Sequence, residues 1–443
     1  TAVGDSIALF ALGLIGIAAL RFEDEREPGW MMALFAGLGL GLGSSPLFYG
    51  GLLTLILARL LQAALAQPGF SLRHYWLWLE RPYQKRALVI GGGMFLATST
   101  LFLWYPVGIG ATAQLIANWL GQFNFQGGLG DLLNPILAVG RYESLLVIPG
   151  IAAMIWATWQ NRETATLFVY WVTAVLALIL LQRGEMSNTL LLLLPGYLLI
   201  GIFCQEVLTP RIDQTGWALG GALTLIGLLV AANLARLSRA VAVSPQEFLP
   251  LWVMLLAVII GMVLIYFMAG WDLKATLQGI LLSLLVVVSL YSWGTAWWLG
   301  HEAANDPRER WVSGGTDEDV RLLQTTLQDI SRQATASPTD LSIFSSVNSP
   351  VIGWYLRDFD RLEMGLTVPE NARHEVILTP ANASFALGDA YRGADFGFQR
   401  RRPEPVVENF PFYAAVRWWL FHDSQQQPTV DRLILWWKAS IQG

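Results

Sequence analysis

The chain has 443 residues, 54% of them apolar and only 14% charged, with a formal net charge of −5 and one cysteine. Soluble globular chains carry about 25% charged residues, so composition excludes a cytosolic enzyme and a disulfide-stapled secreted domain. The acidic balance also offers no basic patch for a nucleic-acid partner. The deficit is uneven, because 33 of the 61 charged residues lie between His301 and the C-terminus. That distribution predicts a polytopic α-helical membrane protein with a soluble C-terminal part.

The chain opens at Thr1 with neither a basic segment nor a small-residue cleavage site, so its start reads as a membrane helix and not as a signal peptide. We read the sequence as the N-terminally incomplete part of a longer membrane protein. Spanning the hydrocarbon core takes about 20 largely apolar residues. Ten runs meet or approach that: Ser6–Leu20, Trp30–Gly43, Leu47–Ala66, Ala87–Leu103, Ser144–Trp159, Ala165–Leu181, Thr189–Leu208, Trp217–Ala235, Pro250–Ala269 and Ala275–Trp298. The prediction is therefore about ten transmembrane helices over residues 1–298. Gly43-Ser44-Ser45-Pro46 breaks the second run from the third.

Alternate loops differ in Lys and Arg content, nine in one set against four in the other. Cytoplasmic loops carry the excess. This places loops 44–46, 104–143, 182–188 and 236–249 outside, and with them the domain from residue 299 to 443. The expected location is the plasma (inner) membrane, multi-pass. Within the long outer loop, Leu115, Ile116, Trp119 and Leu120 share one helical face and predict a short amphipathic helix at the membrane surface.

In the tail, Thr316-Asp-Glu-Asp319 resembles a capping box, followed by an apolar stripe of Val320, Leu323, Leu327 and Ile330. Short strands are predicted at Leu341–Phe344, Leu362–Leu366, Glu375–Leu378 and Leu433–Trp437. Helices are predicted at Pro350–Phe359 and Phe412–Phe421. That order indicates a small α/β domain with a partly parallel sheet.

Glycine runs such as Gly37–Gly43 lie inside apolar helices and follow no strand, so they read as helix-packing surfaces and not as phosphate loops. Charge inside the helices is sparse. Arg59 is about two turns from its helix end and can snorkel, and Glu206 is within a turn of a loop, which disfavours an ion-coupled transporter. Cys204 reads as a small buried hydrophobe. Polar groups gather instead at Asp131, Arg141, Glu143, Arg183, Glu185, Arg236 and Arg239, and in the tail at Arg357, Asp358 and Arg392. Guanidinium groups bind phosphate with bidentate geometry, so Arg141, Glu143, Arg183, Glu185, Arg357, Asp358 and Arg392 are the candidate lipid-phosphate or substrate-binding residues. In the Pro350–Phe359 helix, Val351, Trp354, Tyr355 and Phe359 share a face that packs on the sheet or contacts a sugar or acceptor.

The break Ala36-Gly-Leu-Gly-Leu-Gly-Leu-Gly-Ser-Ser-Pro46, the outer surface helix, Arg183-Gly-Glu185 before a Leu-rich helix, Trp354-Tyr-Leu-Arg-Asp-Phe359, Gly388-Asp-Ala-Tyr-Arg392 and Arg417-Trp-Trp419 together form a recognisable set. The chain resembles the GT-C class of integral-membrane glycosyltransferases that use polyprenyl-phosphate-linked sugars. It is most similar to the protein-mannosyltransferase-like branch of flippase-activity-associated proteins. The resemblance covers essentially the whole chain. It implies transfer of a sugar from a lipid phosphate to an extracytoplasmic acceptor, with a lipid-linked sugar and membrane lipid as partners.

The resemblance also implies an acidic catalytic residue in the first outer loop, which by this count would precede Thr1. It implies a site that often includes a divalent metal ion, for which this chain names no ligands. Family members continue the Gly-Glu of the later outer loop with Lys, Pro and Trp, and carry a His in the next helix. Here Met186, Ser187 and Asn188 stand there, followed by leucines. That departure implies either a different donor or a catalytically lapsed scaffold subunit partnered by other membrane proteins.

Overall fold

The computed structural model describes residues 2–66, 83–104, 106–123, 129–160, 163–182, 185–209, 212–239, 248–309, 312, 314–368, 374–383, 391–401, 419 and 428–442. The chain divides into two compact units, Thr1–Thr295 and Ala296–Gly443.

The first unit is helical. Its elements are α1 (Ala2–Glu25), α2 (Pro28–Leu42), α3 (Pro46–Ala66), α4 (Gln84–Ser99), α5 (Gly108–Gly121), α6 (Leu129–Tyr142), α7 (Ser144–Gln160) and α8 (Glu163–Leu181). A 3-10 helix (Met186–Leu192) leads into α9 (Leu193–Leu208), then α10 (Gln214–Arg239), α11 (Phe248–Trp271) and α12 (Leu273–His301). The outward side chains are apolar; Ile155, Leu225, Met262 and Phe267 are all exposed. Surfaces of that kind are stable against lipid, not water.

Among the described residues, six helices are long and apolar enough to cross a membrane, or seven if the bent pair Pro135–Tyr142 and Ser144–Gln160 counts as one span. This corrects the ten spans expected from apolar runs. The difference lies in length. Pro28–Leu42 has 15 residues, α4 has 16 and the described apolar part of α8 runs from Ala165 to Leu181. Helices of 15 to 17 residues reach only about 22–26 Å by helical rise, short of a core about 30 Å thick. The run expected to continue to Leu103 stops at Ser99, because Leu101, Phe102 and Leu103 all have left-handed backbone angles (φ 49°, 58° and 72°).

Close backbone approach organises the helices around α2. A Cβ on Gly37 would lie 2.9 Å from Ile15, one on Gly39 would lie 2.1 Å from the Gly91 carbonyl oxygen, and one on Gly41 would lie 2.0 Å from the Phe48 ring. The glycine run therefore lets α2 pack against α1, α3 and α4 at once, as small residues do in membrane helix interfaces. Behind it, Leu12, Phe48, Leu167, Ile179, Leu191 and Leu199 form a buried core.

The second unit is α/β. Its elements are β1 (Gly314–Thr316), α13 (Asp319–Thr335), β2 (Ile343–Ser345), α14 (Pro350–Tyr355), β3 (Leu362–Met364), β4 (Val376–Pro380), β5 (Tyr391–Arg401) and β6 (Thr429–Lys438). They form one sheet in the order β1-β5-β6-β4-β2-β3. β2 is parallel to both β3 and β4, and the remaining pairs are antiparallel, so the sheet is partly parallel as expected. The stripe Val320, Leu323, Leu327 and Ile330 is buried against this sheet together with Ile343, Leu378 and Leu435. Arg400 donates to Asp317 at 2.8 Å and so fastens β5 near the start of α13. Burial works to raise the Asp317 carboxyl, but the Arg400 bond and the Asp319 backbone N–H outweigh it and hold the group below its ordinary value. The expected helix Phe412–Phe421 lies, apart from Trp419, outside the described residues.

The glycine packing gives a direct prediction. Gly39→Ala forces a Cβ onto a backbone oxygen and should destabilise the helical unit by about 1–3 kcal/mol, as overpacking does. Gly92→Ala, with nothing within 4 Å of the new atom, should leave thermal unfolding in detergent unchanged or slightly raised.

Candidate functional site

In an apolar bundle, polar side chains stay buried only where they satisfy one another. At the end of the first unit where α3 begins and α8 ends, several do. Gln182 follows the last turn of α8, and its Oε1 accepts from Asn188 Nδ2 at 2.7 Å. Its Nε2 donates to the Trp119 carbonyl at 3.4 Å, tying α5 to α8. Gln182 and Asn188 are completely buried. Trp119 stacks obliquely with Tyr49 of α3, ring centroids 6.2 Å apart, and edge-on with Phe123 at 5.4 Å. Gly50 lies against this cluster, where a Cβ would sit 3.0 Å from Leu178 and 3.4 Å from Trp119 Nε1.

Among the described residues, Trp119 Nε1, Asn188 Oδ1 and Ser45 Oγ are buried without a hydrogen-bond partner. Buried polar atoms in that state call for a cause, and a bound polar group is one. Sequence reasoning identified Trp119 only as an amphipathic-helix residue and Asn188 only as a departure from family pattern. Gln182 was missed. An amide amid leucines was the available signal.

Arg141 and Glu143 flank the break between α6 and α7, whose axes bend by 99°. Arg141 is completely buried, its guanidinium carbon 5.3 Å from the Tyr142 ring centroid. Its carbonyl accepts a 3.4 Å bond from Tyr291 of α12. Glu143 accepts from Tyr197 Oη of α9 at 2.7 Å. The helix α6, a second helix in the outer loop where only one was predicted, packs against the 3-10 helix, which carries Asn188 and follows Glu185. The Glu185 carboxylate turns back on its own chain and accepts from the Ser187 N–H at 3.3 Å and the Ser187 hydroxyl at 2.6 Å. It caps the 3-10 helix. Arg183 lies outside the described residues.

The tail candidates belong to the second unit. Arg357 pairs with Asp358 at 3.6 Å and stacks over the Trp354 ring at 4.0 Å, all three exposed. Of the apolar face expected over Pro350–Phe359, Val351, Tyr355 and Phe359 pack on the core and Trp354 does not. Ile352, Leu356 and Phe359 are buried while Trp354 is 65% exposed. The helix ends at Tyr355, so the 3.6-residue phase does not carry through to Phe359. Arg392 is an exposed residue of β5 paired in register with Trp437 of β6. Among the described residues, no group of three or more His, Cys, Asp or Glu side chains is arranged to hold a metal ion.

Compared with known proteins, the chain matches no family model, no curated protein and no solved structure.

The Gln182–Asn188 pair should behave as a unit. Gln182→Leu removes the acceptor from a buried amide and should cost about 1–3 kcal/mol. The double variant Gln182→Leu with Asn188→Leu should cost less than the sum of the two single changes. Thermal unfolding of the four proteins in one detergent measures the difference.

Proposed function

We propose that this chain is the membrane core of a GT-C-type glycosyltransferase, moving a sugar from a polyprenyl-phosphate donor to an extracytoplasmic acceptor. The observation that carries the reading is the buried polar cluster at one end of an otherwise apolar bundle, with Trp119 Nε1 as donor and Asn188 Oδ1 as acceptor. Sugar hydroxyls can answer both groups, since each hydroxyl donates and accepts. A flanking indole also offers the apolar surface that sugar rings stack on.

In this reading the acceptor hydroxyl displaces the lipid phosphate from the anomeric carbon with inversion, and a carboxylate takes the hydroxyl proton. Arg183, with Arg141, holds the departing phosphate as charge develops on it. The 182–188 loop and the C-terminal α/β unit would keep their expected placement outside the plasma (inner) membrane. The partners would be a lipid-linked sugar and membrane lipid.

One observation favours a second reading, a lapsed scaffold subunit of a larger membrane complex. Glu185 is spent on capping the 3-10 helix, and the residues after it are Met186, Ser187 and Asn188 instead of a cation.

The test is transfer from a panel of radiolabelled polyprenyl-phosphate sugars by the full chain in proteoliposomes. Arg183→Ala should lower turnover about 10²- to 10³-fold, the range for losing one transition-state charge contact, with unfolding unchanged. Unchanged turnover would remove Arg183 from the site. No transfer from any donor, with stable co-purification of other membrane subunits, would establish the scaffold.

A further inference from the structure

Away from the polar cluster, the helical unit encloses a cavity of about 600 Å³ between α1, α2, α3, α8 and α9. Leu20, Leu34, Leu55 and Phe168 are typical of its lining. It follows α3 from Leu52 to Leu60, a length of about 12 Å by helical rise. Ile17, Ile56 and Leu60 line it and are themselves exposed. The cavity is not sealed, and its accessible lining on α1 and α3 is apolar.

Among the described lining residues, only Glu23 and Arg59 are charged. They meet at one end, where Arg59 Nη2 donates to Glu23 Oε2 at 3.0 Å. Arg59 Nη1 donates to Gln62 at 3.2 Å. Both members of the ion pair remain partly exposed. The surrounding chain, Arg21, Glu23, Asp24, Glu25, Arg26 and Glu27, is the polar end of α1 and the turn after it. A charge run directly after an apolar span marks headgroup depth.

We propose that this cavity holds one acyl chain of a zwitterionic aminophospholipid drawn sideways from the bilayer, its phosphate on Arg59 and its ammonium on Glu23. The volume falls within the usual range of small-molecule sites, which are mostly apolar with a few placed polar groups. The charge pattern selects the headgroup. A guanidinium has five N–H donors in a fork that suits a phosphate, and a carboxylate beside it suits a cation with N–H donors. An anionic headgroup would meet repulsion from Glu23. A choline headgroup brings a cation with no N–H to donate. A partly exposed ion pair contributes little and opens readily, so a lipid that offers each charge its own partner replaces it without stranding either. The site is distinct from the polar cluster around Gln182 and requires no catalysis.

The experiment uses the full chain purified in mild detergent, exchanged extensively, and examined by native mass spectrometry and thermal unfolding. The added probes are dioleoyl phosphatidylethanolamine, phosphatidylcholine and phosphatidylglycerol. The wild-type chain should retain one phosphatidylethanolamine and be stabilised by adding it, with the other two roughly tenfold weaker. Arg59→Gln and Glu23→Gln should each lower phosphatidylethanolamine affinity by roughly tenfold. Gly16→Leu gives a second route that leaves the charges alone. A Cβ on Gly16 meets nothing closer than 3.8 Å, at Trp171, so the larger side chain should extend into the cavity and expel the lipid while the chain stays folded. Equal binding of phosphatidylglycerol and phosphatidylethanolamine would overturn the headgroup assignment. Wild-type binding by both Arg59→Gln and Gly16→Leu would overturn the site itself.

Discussion

Hydrocarbon offers a polar side chain no partner, and this constraint shapes the whole helical unit. Helix faces built from leucine, isoleucine, methionine and phenylalanine point outward, so polar groups persist only where they meet each other or approach the bundle ends. The glycines of α2 meet the same constraint from the other side. Without water to drive apolar faces together, helices associate through close packing, and Gly37, Gly39 and Gly41 bring three neighbouring helices against one another.

The polar residues then sort into two places. At one end, Gln182, Asn188 and the Trp119 carbonyl close a short hydrogen-bonded chain across α5, α8 and the 3-10 helix. Toward the other end of α3, Glu23 and Arg59 neutralise one another at the side of an apolar cavity. The first arrangement leaves a donor and an acceptor buried without protein partners, which suits a hydroxylated ligand. The second leaves two opposite charges partly open, which suits a zwitterion. Different chemistries thus follow from how completely each cluster satisfies itself.

Much of the fold was legible in the sequence because burial follows period. The stripe Val320, Leu323, Leu327 and Ile330 is buried as its 3.6-residue spacing requires. The glycine run packs helices, as its place within an apolar stretch implied. Hydropathy reports composition better than length, and so α2 and α4 were counted as spans although they have only 15 and 16 residues. β1 and β5 went unread, because Gly-rich and Arg-rich strands carry no alternating apolar signal. Arg141 and Glu143 stand out in the sequence by their charge, and the structure buries Arg141 and bonds Glu143 to Tyr197. The Gln182–Asn188 bond was not, since a pair of neutral amides six residues apart has no signature until the turn after α8 brings them together. The pairing of Arg59 with Glu23 was equally hidden, because it links residues 36 positions apart.

The central claim is that the buried polar end of the bundle receives the phosphate and sugar of a polyprenyl lipid. Photo-crosslinking tests it most directly, with a polyprenyl-phosphate probe carrying a diazirine beside the phosphate, irradiated with the full chain in proteoliposomes. The account predicts adducts in Gly108–Gly121 and Met186–Leu192 that unlabelled polyprenyl phosphate competes away. Adducts confined to lipid-facing helices such as Phe248–Trp271, indifferent to competitor, would contradict it.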